Sequence, residues 1–248
     1  MRSSQKISKR SKLSFNQEAR NANEAPEVHS YFGIELEQLM KKQRLVAGLE
    51  DEEIPKFLSY CILMISNHLN TEGLFRISPR LTDLQDVQKS IDETIDMGNS
   101  YFTKLESNES ECIKVHVWSG LLKKFLRDLP TPLLGGSDLY NQWIQVAQDL
   151  AEHKDEKKII LSIGKLLESL PAANMALVLD LFQLMTLVSQ HSQENKMDIE
   201  NLSRVLGPNL LWDNSITDPI LSTQHICLVN SLTEFMIQNV SLIAPGAE

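Results

Sequence analysis

The sequence predicts an all-α fold, a single multi-helix bundle of about seven to nine helices. From residue 31 onward, apolar residues recur three and four positions apart, the spacing of one face of a helix. No Asn-Gly or Asp-Gly pair lies between alternating apolar runs, so no β-hairpin is indicated. The stretch 175–190 is apolar on nearly every side, as expected of a central helix surrounded by others.

The first strongly amphipathic helix is predicted over residues 54–69. Pro55 is tolerated in the first turn, where its missing N–H is not needed, and the helix is expected to end near Asn70. Its apolar stripe comprises Ile54, Phe57, Leu58, Cys61, Ile62, Ile65 and Leu69.

A short segment, Glu72-Gly-Leu-Phe-Arg-Ile-Ser78, follows this helix. If the segment is extended, Phe75 and Ile77 both turn inward because successive side chains alternate between faces, and Arg76 points to solvent. The guanidinium group is always charged and matches phosphate oxygens bidentately, so Arg76 could stabilise a phosphoryl group of another molecule. The alternative is an ordinary solvated surface arginine.

The next helix is expected to start at Ser78-Pro79, with Ser78 as the N-cap and Pro79 in the first helical position. A second possible cap lies at Thr82, three residues before Gln85. In either case the apolar stripe continues through Leu84, Val87 or Gln88, Ile91 and Ile95 until Gly98.

Residues 113–129 are predicted to form a helix with two chemically different faces. The apolar face carries Trp118, Leu121, Leu122, Phe125 and Leu129. On the opposite side lie His116, Lys123 and Arg127, so two cations share a face directed toward solvent. The i, i+4 spacing of these two cations is equally typical of an ordinary solvated helix surface.

A corner is predicted after this helix, because Pro130 cannot continue it and two glycines follow. Further helices are expected near residues 138–151, 155–169 and 175–190. Asp198 is predicted to cap a helix that Gly207 and Pro208 close, which places Asn209 just beyond the break. A last helix is predicted over residues 220–239, with Leu221, Cys227, Leu228, Leu232, Phe235 and Met236 available for packing.

Composition fits an ordinary soluble protein, since 248 residues with a 42% hydrophobic fraction can bury a sizeable core. No uninterrupted apolar run of about 18 residues and no signal-peptide block is present, so a cytoplasmic location is expected. The three cysteines lack Cys-x-x-Cys or histidine pairing, which supports neither a disulfide framework nor a zinc site. Cys61, Cys112 and Cys227 are therefore interpreted as buried thiols.

Residues 1–30 differ in kind from the rest, with six Lys or Arg against three Asp or Glu, a net +3 in a chain of net charge −9. They hold too few apolar residues to offset the entropy of ordering. A disordered basic tail is expected at residues 1–30, followed by a helical domain at residues 31–248. The basic run 6–12 could contact a membrane weakly or simply be solvated, and the acidic body argues against nucleic acid as a ligand.

Motifs for independent hydrolytic chemistry are missing from the sequence: there is no Gly-x-x-x-x-Gly-Lys phosphate loop, His-Glu-x-x-His helix or Gly-x-Ser-x-Gly turn. His191 and His225 have no nucleophile or oriented carboxylate nearby in sequence and are interpreted as structural.

Four blocks together resemble the signature of the Rho-type GTPase-activating (RhoGAP) domain. They are Gly73-Leu-Phe-Arg-Ile-Ser78, Leu122-Lys-Lys-Phe-Leu-Arg-Asp-Leu-Pro-Thr-Pro-Leu-Leu134, Asn195-Lys-Met197 and Leu206-Gly-Pro-Asn-Leu-Leu-Trp212. The blocks follow the family's order and spacing, and the resemblance is strongest over residues 46–239. It implies a helical domain that stimulates GTP hydrolysis by Rho, Rac and Cdc-type small GTPases without being a hydrolase itself.

By this resemblance Arg76 corresponds to the arginine finger that enters the nucleotide site of the GTPase. Lys123 matches a lysine that helps to bind the GTPase, and Arg127 matches an arginine that either steadies the finger or joins the docking surface. Asn209 matches an asparagine near the GTPase switch regions. GTP and Mg²⁺ belong to the GTPase, so the resemblance implies no cofactor and no metal, and a monomer recruited to membranes where the GTPase resides.

One residue departs from the resembled pattern, because Pro79 stands where the family commonly has glycine. Proline stiffens the exit from the Arg76 segment, and a shifted arginine with lower activity is one possible consequence. Two alternatives to an activator stay open at this point. One is a catalytically weak or inactive GTPase-binding scaffold, and the other is a purely structural helical bundle.

Overall fold

Eleven helices and no strand are found in the part of the chain that a computed structural model describes, residues 30–47, 52–93 and 114–243. The helices are α1 (Leu36–Ala47), α2 (Lys56–Ser66), α3 (Leu81–Asp92), α4 (Val115–Asp128), α5 (Ser137–Ala151), α6 (Glu156–Glu168), α7 (Ala172–Gln190), α8 (Ser192–Asn195), α9 (Ile199–Leu210), α10 (Pro219–Gln238) and α11 (Val240–Ile243). The all-α prediction is confirmed. The predicted tail, the stripe position Ile95, the end at Gly98 and the thiol of Cys112 lie outside the described residues.

Helix α7 is the centre of the bundle, as its apolar sequence predicts. It packs against α1, α2, α9 and α10, and its buried side chains cover about half of its circumference, while most of the others are half-buried. The buried residues of α7 are Ala173, Leu177, Val178, Leu181, Phe182, Leu184, Met185 and Val188. Among the described helices, α7 has the length and hydropathy of a membrane span, and its position inside the bundle accounts for that composition.

Asp180 is a half-buried carboxyl on this central helix, and we expect Asp180→Asn to stabilise the fold. Burial, and then the charge of Glu53, raise the pKa of Asp180. Because the folded pKa lies above the unfolded one, the ionised carboxyl opposes folding at neutral pH, and this penalty disappears as the pH falls toward the unfolded pKa. The gain should be below about 1 kcal/mol, since the group is partly solvated. Thermal unfolding at pH 7 and pH 4 measures the gain, and an equal gain at both pH values contradicts this explanation.

An aromatic cluster supports the end of the bundle where α2 and α4 pack together. Phe57 of α2 lies between Tyr31, at a centroid distance of 4.8 Å, and Phe125 of α4, at 5.3 Å. Phe32 completes the cluster at 5.5 Å from Phe57. Tilted and edge-on ring pairs of this kind pack tightly, so the cluster holds the start of α2 against α4.

Two predicted helix boundaries are wrong. Helix α3 begins at Leu81 with Arg80 at the N-cap and no capping side chain, so neither Ser78 nor Thr82 caps it. Helix α9 begins as predicted, with Asp198 accepting a hydrogen bond from the backbone N–H of Asn201 at 2.8 Å. However, it continues through Pro208 to Leu210, because packing against α10 and α4 outweighs the single backbone bond that proline removes.

The interpretation of the cysteines and of α10 needs correction. Cys61 is fully buried, and burial raises the pKa of its thiol far above the usual range. Cys227 is exposed, and Leu221 is 40% exposed, so neither lies in the core. Both residues precede the buried part of α10, which begins at Val229.

Candidate functional site

The segment carrying Arg76 is a tight turn rather than an extended strand. We call residues 72–78 the Arg76 loop. The backbone N–H groups of Arg76 and Ile77 both donate to the carbonyl oxygen of Gly73, at 3.0 and 2.8 Å. Phe75 is completely buried, as predicted, but Ile77 is 44% exposed, so the prediction that both residues turn inward is wrong. The alternation that the prediction used applies only to extended backbone.

Left-handed backbone conformations shape this turn. Gly73 has φ +70° and Phe75 has φ +63°. A Cβ on Gly73 would lie 2.6 Å from Cδ1 of Ile77, so position 73 requires glycine for its conformation and for the close approach of Ile77. Phe75 has no such conformational freedom, and its left-handed geometry is held by the surrounding packing. The chain therefore stores strain in the residue immediately before Arg76.

Arg76 is exposed at the tip of this turn. Within residues 30–47, 52–93 and 114–243, its guanidinium group has no hydrogen-bond or ion-pair partner. The guanidinium is therefore available for an anion on another molecule, while the backbone that carries it is fixed.

Lys123 fixes the Arg76 loop from α4, because its ammonium group donates a hydrogen bond to the carbonyl oxygen of Phe75. Lys123 is half-buried, and burial, followed by the charge of Arg127, lowers its pKa. Lys123 was predicted on a face directed toward solvent, but it is only partly exposed and its ammonium group turns to the loop. A carbonyl 48 residues earlier in the chain is its partner, and a helical wheel cannot show such a contact.

Replacing Lys123 with methionine is expected to loosen the Arg76 loop while preserving α4. Methionine keeps much of the apolar volume but leaves the carbonyl of Phe75 unpaired, at a local cost of about 1 to 3 kcal/mol. If Arg76 has the arginine-finger role that the RhoGAP resemblance implies, the maximal rate of stimulated GTP hydrolysis should fall about 10 to 100-fold, since small displacements of a catalytic group have effects of that size.

Lys124→Met is the matched control on the same helix. Lys124 forms an ion pair with Asp128 and has no contact with the Arg76 loop among the contacts given for the described residues. Single-turnover GTP hydrolysis measured with both variants shows whether Lys123 holds the Arg76 loop or is only a surface cation. Equal rates for the two variants contradict the assignment of Lys123 to the loop.

Arg127 lies one turn beyond Lys123 and remains largely in solvent, with 62% of its side chain exposed. Its nearest carboxylate is Asp128, at 3.9 Å, too long for a firm hydrogen bond. His116, predicted on the same face, is only half-buried, and burial, then Lys114 and Lys123, lower its pKa. Arg127 is therefore the predicted cation of α4 that stays accessible to a partner.

Asn209 lies inside α9, not beyond its end. Its side-chain amide donates to the carbonyl oxygen of Val205 at 2.8 Å, and the residue is half-exposed. Helix α9 packs on α4, the helix that also holds Lys123 and Arg127. The structure thus joins the Arg76 loop directly to Lys123, whereas the contacts given for the described residues connect Asn209 to them only through the packing of α9 on α4.

Asn195 holds the Arg76 loop in place, a role that was not predicted for it from the Asn195-Lys-Met197 block. It is completely buried, and its side-chain amide donates to the carbonyl oxygens of Leu69 at 2.8 Å and Val188 at 2.7 Å. Its backbone carbonyl accepts from the N–H of Gly73 at 2.7 Å. Asn195 therefore ties the start of the Arg76 loop to the end of α7. Residues 189–196 are all polar, so composition gave no signal that Asn195 is buried; the available signal was its place in the Asn195-Lys-Met197 block.

Comparison with known proteins identifies the family of this chain. The family model of the RhoGAP domain matches residues 55–215. Rho GTPase-activating protein gacY of Dictyostelium discoideum is 34% identical over 77% of this chain and 24% of the relative, and human Rho GTPase-activating protein 1 is 29% identical over 90% and 46%. The chain therefore spans less than half the length of these relatives.

Solved structures show the same fold. The crystal structure of human Rho GTPase activating protein 15 aligns with a TM-score of 0.69 at 23% identity, covering 87% of this chain and 92% of that one. The BH domain from GRAF, the GTPase regulator associated with focal adhesion kinase, aligns with a TM-score of 0.60 at 22% identity, covering 75% and 92%. Since the RhoGAP domain accounts for well over half of the chain, including the Arg76 loop, α4 and α9, this protein belongs to the RhoGAP domain family.

Proposed function

We propose that this protein binds a GTP-loaded small GTPase of the Rho family and accelerates its GTP hydrolysis by inserting Arg76 into the nucleotide site in trans. The observation that carries this proposal is the contrast within the Arg76 loop. The backbone is fixed by Lys123 and Asn195, while the guanidinium is exposed and unpaired within the described residues. An ordinary solvated arginine is equally exposed, so it is the fixed and strained backbone beneath the guanidinium that favours a role on another molecule.

The chemistry required of this chain is the delivery of positive charge. Phosphoryl transfer builds negative charge on the γ-phosphate oxygens, and an arginine supplied in trans typically raises the rate about 10³ to 10⁵-fold. That factor corresponds to about 4 to 7 kcal/mol of barrier. GTP and Mg²⁺ are carried by the GTPase, so the chain itself is an activator rather than an independent hydrolase. Arg127 and Asn209 are available to contact the switch regions.

Single-turnover phosphate release from Rho, Rac and Cdc-type GTPases, with and without this protein, tests the proposal. At least one of these GTPases should hydrolyse GTP about 10³-fold faster when the protein is saturating. Binding in a pull-down should favour the GTP-loaded over the GDP-loaded form, because the proposed contacts involve the switch regions and γ-phosphate. Binding without faster release would indicate a scaffold, and an absence of nucleotide-dependent binding would reject a GTPase partner altogether.

A further inference from the structure

Pro79, the residue that follows the Arg76 loop, lies directly against Gly120 in the middle of α4. A Cβ built on Gly120 would lie 2.8 Å from Cγ and 3.1 Å from Cδ of Pro79. Carbon atoms of non-bonded groups normally stay about 3.5 to 4.0 Å apart. The proline ring therefore occupies the space that any side chain at position 120 would need.

Close approach is the reason for glycine at position 120. The residue is buried within a regular helix, where alanine is the better helix former, and its φ is not positive. The atoms nearest to that Cβ position belong to Pro79 and to Leu84, whose Cδ1 lies 3.1 Å away. A leucine methyl group can rotate away from an added side chain. The ring of Pro79 cannot, because its φ is fixed and it is bonded to the loop.

The Arg76 loop is thus attached to α4 at two points. Lys123 donates to the carbonyl oxygen of Phe75, immediately before Arg76. Pro79 packs on Gly120, three residues after Arg76. Positions 120 and 123 are neighbours on one face of the helix. The two attachments flank the arginine on either side, so motion of the loop relative to α4 is restricted at both its centre and its exit.

We propose that Pro79 and Gly120 are positioning residues for Arg76, and that their contact fixes the exit of the Arg76 loop on α4. This inference rests on the proposed function. It assigns a use to the one residue at which the sequence departs from the resembled pattern. Proline restricts the backbone of Ser78 to extended conformations, so a ring held against Gly120 sets the direction in which the loop leaves the turn.

Gly120→Ala tests this contact. The added methyl group should displace Pro79 and lower the maximal stimulated rate about tenfold, with little change in the GTPase concentration at half-maximal rate. Gly164→Ala is the matched control, because a Cβ at that helical position would meet only the carbonyl oxygen of Ile243, at 3.9 Å. Adding Pro79→Ala to Gly120→Ala should restore most of the rate, since the new methyl group then fills the space that the ring vacates.

Two further measurements separate positioning from general damage. In an Arg76→Ala background, Gly120→Ala should lower neither the residual rate nor the affinity for the GTP-loaded GTPase, because its effect acts through the arginine. Amide hydrogen exchange at Arg76 and Ile77, whose N–H groups bond to Gly73, should be about tenfold faster in Gly120→Ala than in Gly164→Ala.

The outcomes distinguish the two hypotheses. If the wild-type chain stimulates no GTPase but exchange at Arg76 and Ile77 still accelerates, the proposed function is rejected while the loop attachment stands. If the wild type stimulates hydrolysis and Gly120→Ala behaves like Gly164→Ala in rate and exchange, the positioning role is overturned. An additional loss of affinity in the Arg76→Ala background overturns it as well.

Discussion

Replacing Arg76 with alanine is expected to lower the stimulated GTP hydrolysis rate about 10³-fold, which removes nearly all of the proposed stimulation. The guanidinium has no partner within the described residues, so on the proposed mechanism the substitution removes only the group that acts on the bound nucleotide. The turn itself depends on backbone bonds to Gly73 and on buried Phe75, neither of which involves the Arg76 side chain. Single-turnover phosphate release at saturating protein is the direct measurement.

Stability and docking should be nearly unchanged in this variant. We expect a melting temperature within about 2 °C of wild type, because exposed residues without partners contribute little to stability. The variant should also compete with the wild type for GTP-loaded GTPase at similar concentrations, since Arg127 and Asn209 remain. A rate loss accompanied by an equal loss of competition would show that Arg76 serves binding rather than the transition state.

Arg76→Lys is the informative companion substitution. Lysine keeps the positive charge but loses the planar fork that contacts two phosphate oxygens, so we expect it to recover only a small part of the rate. Arg44→Ala, at an exposed arginine in the last turn of α1, is the matched control and should leave the rate unchanged. Full activity of Arg76→Ala would falsify the finger assignment.

Local patterns in the sequence predicted the longer helices from α2 onward, whereas α1 and the short helices α8 and α11 were not predicted. The apolar stripe of α4, including Trp118 and Phe125, is buried as its spacing indicates. The spacing of apolar residues along a helix is a local property of the sequence, and it decides which face packs against the core. The cap at Asp198 is confirmed for the same reason, since its bond spans only three residues.

Features that depend on distant contacts could not be predicted in this way. The left-handed conformation of Phe75 is an unfavourable local choice that only the folded surroundings stabilise. Lys123 finds its partner 48 residues away, and Pro208 stays inside a helix because of packing against other helices. The exposure of Arg76 was predicted from the sequence. The contacts of Lys123 and Asn195 that hold its loop were not, because they join residues far apart in the chain.

Changing Asn195 to aspartate is expected to destabilise the protein by about 3 to 5 kcal/mol at neutral pH, the usual cost of an uncompensated buried charge. The asparagine amide donates to the carbonyl oxygens of Leu69 and Val188, while its oxygen accepts from the N–H of Met197 at 2.7 Å. An introduced carboxylate preserves the last bond but turns two donors into repelled acceptors. A fall in melting temperature of roughly 10 °C should result.

The pH dependence of this variant follows from the same contacts. Burial against two carbonyl oxygens disfavours the ionised form, so the folded pKa of the introduced carboxyl should exceed its unfolded value of about 3.9. A raised folded pKa means that relative stability is greatest below the unfolded pKa and is lost as the pH rises through the folded pKa. The gap between Asn195→Asp and wild type should therefore narrow as the pH falls from 7 toward 4.

Thermal unfolding across this range measures the gap, with Asn214→Asp, at an exposed position, as the isosteric control. The control should show no such pH-dependent gap. The variant should also show a lower stimulated hydrolysis rate at temperatures where it is still folded. The reason is that the backbone carbonyl of Asn195 holds Gly73 at the start of the Arg76 loop. If the stability difference between Asn195→Asp and wild type does not change with pH, the side-chain amide does not hold Leu69 and Val188 together. Retained catalysis in a destabilised variant would separate the anchoring of Gly73 from the placement of Arg76.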